Sequence, residues 1–170
     1  MGDAMNDSLS DENLTKIRFS LDPEDWHGYP DEGLWAEPVA KARPIRAFRL
    51  RNSPFFARGV SYLDVVHGTP CSDGVGFDFS HVIEHSGHST YMVLVPPACP
   101  VFNRYWERLG NLGCSYESKS HRTSLGDRVL YSIDVPAQAD VRAVYSILED
   151  GERKGVWIFQ EGHVGHKLTS

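Results

Sequence analysis

The periodicity of this 170-residue chain changes near Gly87-His88, and no other feature limits its fold as tightly. Upstream, apolar and polar residues alternate over short runs. In Thr15–Leu21, Ile17, Phe19 and Leu21 alternate with Lys16, Arg18 and Ser20, the period-two pattern of a half-buried strand. Leu34–Ala40, Ile45–Leu50, Asp64–His67 and Val75–His85 read as further strands, with Pro, Gly and Asp between them. No stretch before Ser89 carries a helical repeat. Short strands with turn punctuation predict a small, strongly curved antiparallel sheet or barrel.

From Ser89 the repeat lengthens. Tyr91–Val95 is a strand stopped by Pro96-Pro97. Pro100–Leu112 then sets Val101, Tyr105, Trp106, Leu109 and Leu112 on one helical face, and Gly113 stands where a helix C-cap favours positive φ. Cys114–Ser120 and Arg128–Val135 are strands around Leu125-Gly126-Asp127. Ala139–Asp150 repeats the helical pattern through Val141, Val144, Tyr145 and Leu148, and Val156–Gln160 is a last strand. The order β-α-β-β-α-β is that of a ferredoxin-like unit. The expected fold is therefore α+β: a flexible tail over residues 1–13, a small β-barrel-like subdomain over 14–88, and a ferredoxin-like subdomain over 89–170 packed on it. Halves this small are marginal alone, so they are expected to share an interface.

Charge is segregated. Residues 1–40 hold ten acids and two bases, whereas residues 41–60 hold six bases and no acid. The chain's formal charge of −6 disfavours general nucleic-acid binding, because phosphate backbones reward positive charge. Cys71, Cys99 and Cys114 form no C-x-x-C pair, and the polar N-terminus has no apolar core like that of a signal peptide. No run approaches the length of a membrane span. A soluble cytoplasmic protein is the expectation.

Several clusters invite a chemical reading. His81, His85 and His88 lie close together, and His163-x-x-His166 ends the chain. Zinc needs three or four converging ligands, which His81, His85 and His163 supply only if the fold gathers them, with Glu84, Glu161 or Cys71 completing the set. Surface histidines are commoner, so neither a metal nor another cofactor is expected. Asp64 reads as the residue that fixes a turn before its strand. Gly87-His88-Ser89-Thr90-Tyr91 falls one residue short of a nucleophile elbow, and a strand follows the serine where a helix is needed. Lys41, Arg43, Arg49 and Arg51 share one parity of a strand. With Arg46 and Arg58 they form either a charged, protected edge or a docking patch for an acidic partner. RNA contact through Arg43, Arg49 and Arg51 is a weaker third option. In Pro54-Phe55-Phe56, neighbouring aromatics on a strand point oppositely, so a turn at Pro54 is needed if both are to be buried.

Leu34-Trp35-Ala36-Glu37, Pro54-Phe55-Phe56-Ala57, Gly59-Val60-Ser61 and Asp64-Val65-Val66 resemble a bacterial family known only as domain of unknown function 4265. The resemblance spans nearly the whole chain after the tail and implies kinship and fold, with no catalytic residue to carry over. In the second half, Gly155-Val156-Trp157-Ile158-Phe159-Gln160-Glu161 after the helix-strand-strand-helix run is similar to the B-type ferredoxin-like inhibitors of ribonuclease E. That similarity implies binding of a protein without catalysis. The leading expectation is thus a non-enzymatic cytoplasmic binding factor: an inhibitor, immunity or regulatory protein acting on a protein partner such as a toxin or a regulated enzyme. The alternative is a small enzyme, or a protein binding a small molecule or metal, with His81, His85, Asp64 and His163 lining a site between the halves.

Overall fold

In the computed structural model, residues 13–39 and 45–168 are described. The tail before Asn13 lies outside them, as do Lys41 and Arg43. Strands β1 (Thr15–Ser20), β2 (Asp31–Pro38), β3 (Ala47–Leu50), β4 (Val65–Pro70) and β5 (Phe77–Glu84) close into a barrel in chain order. Each step from β1 to β5 is antiparallel. The closing step is parallel, with Ile17 opposite Phe77 and Arg18 opposite Asp78. This corrects the expectation of a wholly antiparallel barrel, and the reason is the odd strand number. In a five-strand meander the first and last strands run the same way. Arg18 Nε donates to Asp78 Oδ1 at 2.8 Å across this seam and holds the Asp78 carboxyl below its usual range.

The alternation read from β1 is the barrel's packing pattern. Ile17 and Phe19 point inward to meet Leu34, Ala36, Phe48, Leu50 and Val66. Ala57 and Val60, from the segment between β3 and β4, complete the same core.

The second half runs β6 (Ser89–Val95), α1 (Phe102–Asn111), β7 (Ser115–Thr123), β8 (Gly126–Val135), α2 (Val141–Arg153) and β9 (Ile158–His163). Its four strands form an antiparallel sheet in the order β7-β8-β6-β9. Tyr91, Val93, Val95, Ile133 and Val135 share a core with Tyr105 and Leu109 of α1 and Val144, Ile147 and Leu148 of α2. Asp140 caps α2 by accepting from Arg142 N and Ala143 N. Gly113, at φ 95°, follows α1 in the conformation its cap requires. Trp157 Nε1 donates to Leu148 O at 2.9 Å, and its ring fills the space where a Gly151 side chain would stand.

Even-numbered residues of β6 face the other way, towards the barrel side. Met92 and Leu130 join Phe56 in a small third core, with Leu21, Phe55 and Leu94 against it. Phe56 is therefore buried where barrel meets sheet. Phe55 is only partly buried.

Candidate functional site

The segment between β3 and β4 is held at both ends. Near Pro54, the Glu32 carboxylate of β2 accepts the backbone N–H groups of Phe55 at 2.7 Å, Phe56 at 3.0 Å and Ala57 at 2.8 Å. The Ser132 hydroxyl of β8 donates to Pro54 O at 2.6 Å. Trp26, His27, Tyr29 and His121 surround the Phe56 ring, with centroids 4.9 to 5.8 Å away. Further along, Gly59 N donates to Gly162 O at 3.0 Å, which ties the segment to β9.

The segment then turns through Ser61–Asp64, and Leu63 adopts φ 68°, a left-handed conformation uncommon for a bulky side chain. Asp64 lies at the end of this turn and is fully buried. Its Oδ2 accepts from Ser61 N at 3.0 Å and lies 3.1 Å from His85 Nδ1, and its Oδ1 accepts from Ser86 N at 2.8 Å. A carboxylate can only accept, so His85 donates from Nδ1. The His85 side chain is 48% exposed. Across from it stands His163 at the end of β9, its ring stacked on that of His85 at 4.6 Å between centroids and 16° between planes. One ligand atom each from Asp64, His85 and His163 lies within 4.8 Å of the other two. His163 Nε2 is buried with no hydrogen-bond partner. Burial lowers the His163 pKa, His85 lowers it further, and Asp64 opposes both, so the ring is held towards its neutral form.

Two further histidines close the surrounding polar layer. His88 Nδ1 lies 2.8 Å from Asp134 Oδ1, and burial raises the Asp134 pKa while His88 works against that rise. His166 Nε2 donates to Pro136 O at 2.9 Å, so its Nδ1 accepts from the Ser89 hydroxyl at 2.6 Å. Ser89 Oγ also accepts from Gly165 N at 3.0 Å. Ser89 is fully buried, and this serine–histidine pair fastens the C-terminal segment to the start of β6.

Of the residues that the alternative reading set around one site, Asp64, His85 and His163 come together. His81 stands apart, stacked on His67 at 4.9 Å. Parity along β5 puts His81 and His85 on one face only if the strand is regular. The β4–β5 register instead skips Ile83, between Val65↔Glu84 and Val66↔Val82, and such a bulge reverses the parity.

Three arginines of the basic segment have acidic neighbours from the first forty residues. Arg49 and Arg51 lie 3.7 and 3.5 Å from Glu37 Oε1, and Arg58 lies 3.6 Å from Asp25 Oδ2. Arg46 is half-buried beside β3, and its carbonyl accepts from Gly68 N. Arg43 lies outside the described residues. Burial pushes the Cys114 thiol up to about 12 and raises Cys71, so neither is a thiolate at neutral pH.

Glu32 and Ser132 are the positioning residues that sequence reasoning missed. Asp31-Glu32-Gly33 reads as loop and carries no sign that its carboxylate reaches three amides over twenty residues away. Elsewhere, Trp26, Leu94, Pro96, Leu125, Trp157 and Ile158 are among the residues lining an apolar groove of about 400 Å³ on the sheet's barrel-side face.

The chain belongs to the family described as domain of unknown function (DUF4265), whose model matches residues 32–159. The match begins at Glu32, includes Asp64 and His85, and ends before His163. The chain is also similar to a hypothetical protein from Neisseria gonorrhoeae known from a crystal structure, with a TM-score of 0.70 and 17% identity over 90% of this chain and 96% of that one. Identity at that level speaks to the fold alone. No curated protein matches the chain.

Proposed function

We propose that this protein binds a small ligand at the Asp64–His85–His163 centre between barrel and sheet. One observation carries the reading. Three side chains able to ligate or move a proton converge from three separate segments, with one of them half in solvent. Asp64 Oδ2 and His85 Nδ1 meet at 3.1 Å beside solvent, an arrangement suited to a cation or an acidic proton. Ser61 N and Ser86 N hold the carboxylate in turn, so the centre is preorganised from behind.

We read the second half as a ferredoxin-like unit. The order β7-β8-β6-β9 and the two helices on one face support that reading. A cytoplasmic setting is supported by three free cysteines.

A second reading, a binding factor that inhibits, protects or regulates a protein partner, is favoured by the groove. Leu125 is 75% exposed and Ile158 57% exposed along its walls, a surface suited to a partner's apolar side chain.

Native mass spectrometry on protein isolated from its own host separates the two. The expected result is a small-ligand mass on the wild type that is absent from His85→Ala. A stoichiometric protein partner on both forms, with no small-ligand mass on either, would replace the first reading with the second.

A further inference from the structure

We infer that the ligand at this centre is a divalent transition-metal ion of the zinc class, held by Asp64, His85 and His163 and joining barrel to sheet. This inference rests on the ligand-site reading above. The donor set is one carboxylate and two imidazoles, a combination that suits zinc and its neighbours and not the oxygen-only shells of calcium or magnesium.

The distances are near those required. Two ligand atoms of a tetrahedral zinc stand roughly 3.4 Å apart, and Asp64 Oδ2 and His85 Nδ1 are already 3.1 Å apart. A cation between them takes the place of the proton on His85 Nδ1; that proton leaves to solvent while the exposed Nε2 takes one up, so the ligating ring stays a neutral imidazole in its other tautomer. His163 supplies the third ligand after a tilt of roughly 1 Å, given ligand atoms within 4.8 Å of one another.

Two observations besides proximity point to a cation. A buried imidazole nitrogen without a partner is costly to a fold, and His163 Nε2 is such an atom inside this cluster. The support behind the ligands is also built. Asp64 is oriented by two backbone N–H groups, and the backbone on the His163 side is pinned by Gly59 N on Gly162 O. The half-exposed His85 edge gives the ion access and a fourth, solvent-supplied ligand.

Because Asp64 and His85 belong to the barrel and His163 to the sheet, metal should stabilise the whole fold. The test uses chelator-treated full-length protein with Co²⁺ and then Zn²⁺, read by visible absorption and thermal melting. The wild type should take one equivalent of Co²⁺ with the intense bands of a tetrahedral site, lose them to Zn²⁺, and melt higher with either ion. His85→Ala and His163→Gln should bind about 100-fold more weakly, and His81→Ala should match the wild type. His85 is half exposed, so its variant stays folded, which circular dichroism checks. A wild type without bands or melting shift would overturn the inference, as would an equal loss in His81→Ala or wild-type affinity in His85→Ala. If the wild type takes no metal but carries another small ligand that His85→Ala loses, the cation fails and the ligand site stands.

Discussion

Barrel and sheet meet along two seams of opposite chemistry. At Pro54–Ala57, Phe56 drives an aromatic ring against Met92 and Leu130, Glu32 takes up three backbone N–H groups, and Ser132 takes up the Pro54 carbonyl. At Asp64–His85–His163 a carboxylate meets two imidazoles, a buried nitrogen lacks a partner and one imidazole stands half in water. Packing for stability alone favours an apolar filling such as Phe56, because polar groups inside a protein cost free energy unless fully paired, a cost that His121 also carries in the first seam. The contrast assigns different work to the two seams. The Pro-Phe-Phe-Ala segment that carries the family resemblance is a staple, and the polar seam is the place of the proposed ligand site.

The largest effect should come from the staple. Phe56→Ala should cost about 3–5 kcal/mol in urea unfolding, because it opens a cavity beside Met92 and Leu130 where barrel meets sheet. Glu32→Ala should follow at about 2–4 kcal/mol, since it strips the acceptor from three amides at once. His85→Ala, measured without metal, should cost about 1 kcal/mol, the loss of one of three hydrogen bonds to Asp64. If His85→Ala costs as much as Phe56→Ala, the polar seam is a second staple and the division of labour collapses.

How far the two seams could be read from sequence follows from the range of the interactions. The strands and helices rest on local repeats, so the inward set Ile17 and Phe19 and the helical set Val141, Val144 and Leu148 were legible. The barrel's parallel closure was not, because it pairs Ile17 with Phe77, sixty residues on, and depends on how many strands intervene. Asp64 was legible as a turn residue, since Ser61 N is three residues away. Its meeting with His163 depends on where β9 docks, and no periodicity reports that. His81, which the alternative reading placed in the site, stands apart for a specific reason. One bulged residue, Ile83, breaks the alternation of faces between His81 and His85.

A subtler test belongs to the aromatic cluster around Phe56. His121 is 5% exposed, packs on Trp26 and Tyr29, and has neither ring nitrogen hydrogen-bonded. Burial lowers its pKa from the ordinary 6.5, and Lys119 and His27 act in the same direction. With a lowered native pKa, the unfolded chain takes up the proton first. The neutral ring's contribution is therefore complete above pH 6.5 and is lost as pH falls through the window down to the lowered value. Wild-type stability should fall over that window relative to His121→Phe, which should be no less stable than wild type at pH 7.5 or so. Parallel curves for the two proteins would show that the staple carries no titrating member.

The smallest effect should come from the basic strand, which lies outside both seams. Arg49 and Arg51 share one Glu37 oxygen at 3.7 and 3.5 Å, and the arginine side chains are 41% and 28% exposed. Ion pairs in such partly wet settings contribute about 0–1 kcal/mol, because solvent screens the attraction and ordering long side chains opposes it. The double variant Arg49→Ala, Arg51→Ala should therefore unfold within about 1 kcal/mol of wild type. A cost above about 2 kcal/mol would make the Glu37 pairing part of the barrel framework, and the strand would then belong with the staple. A stability-neutral double variant that loses a partner protein retained by His85→Ala would have the opposite meaning. Protein docking would then lie on the basic strand and not in the groove, on a surface independent of the Asp64–His85–His163 centre.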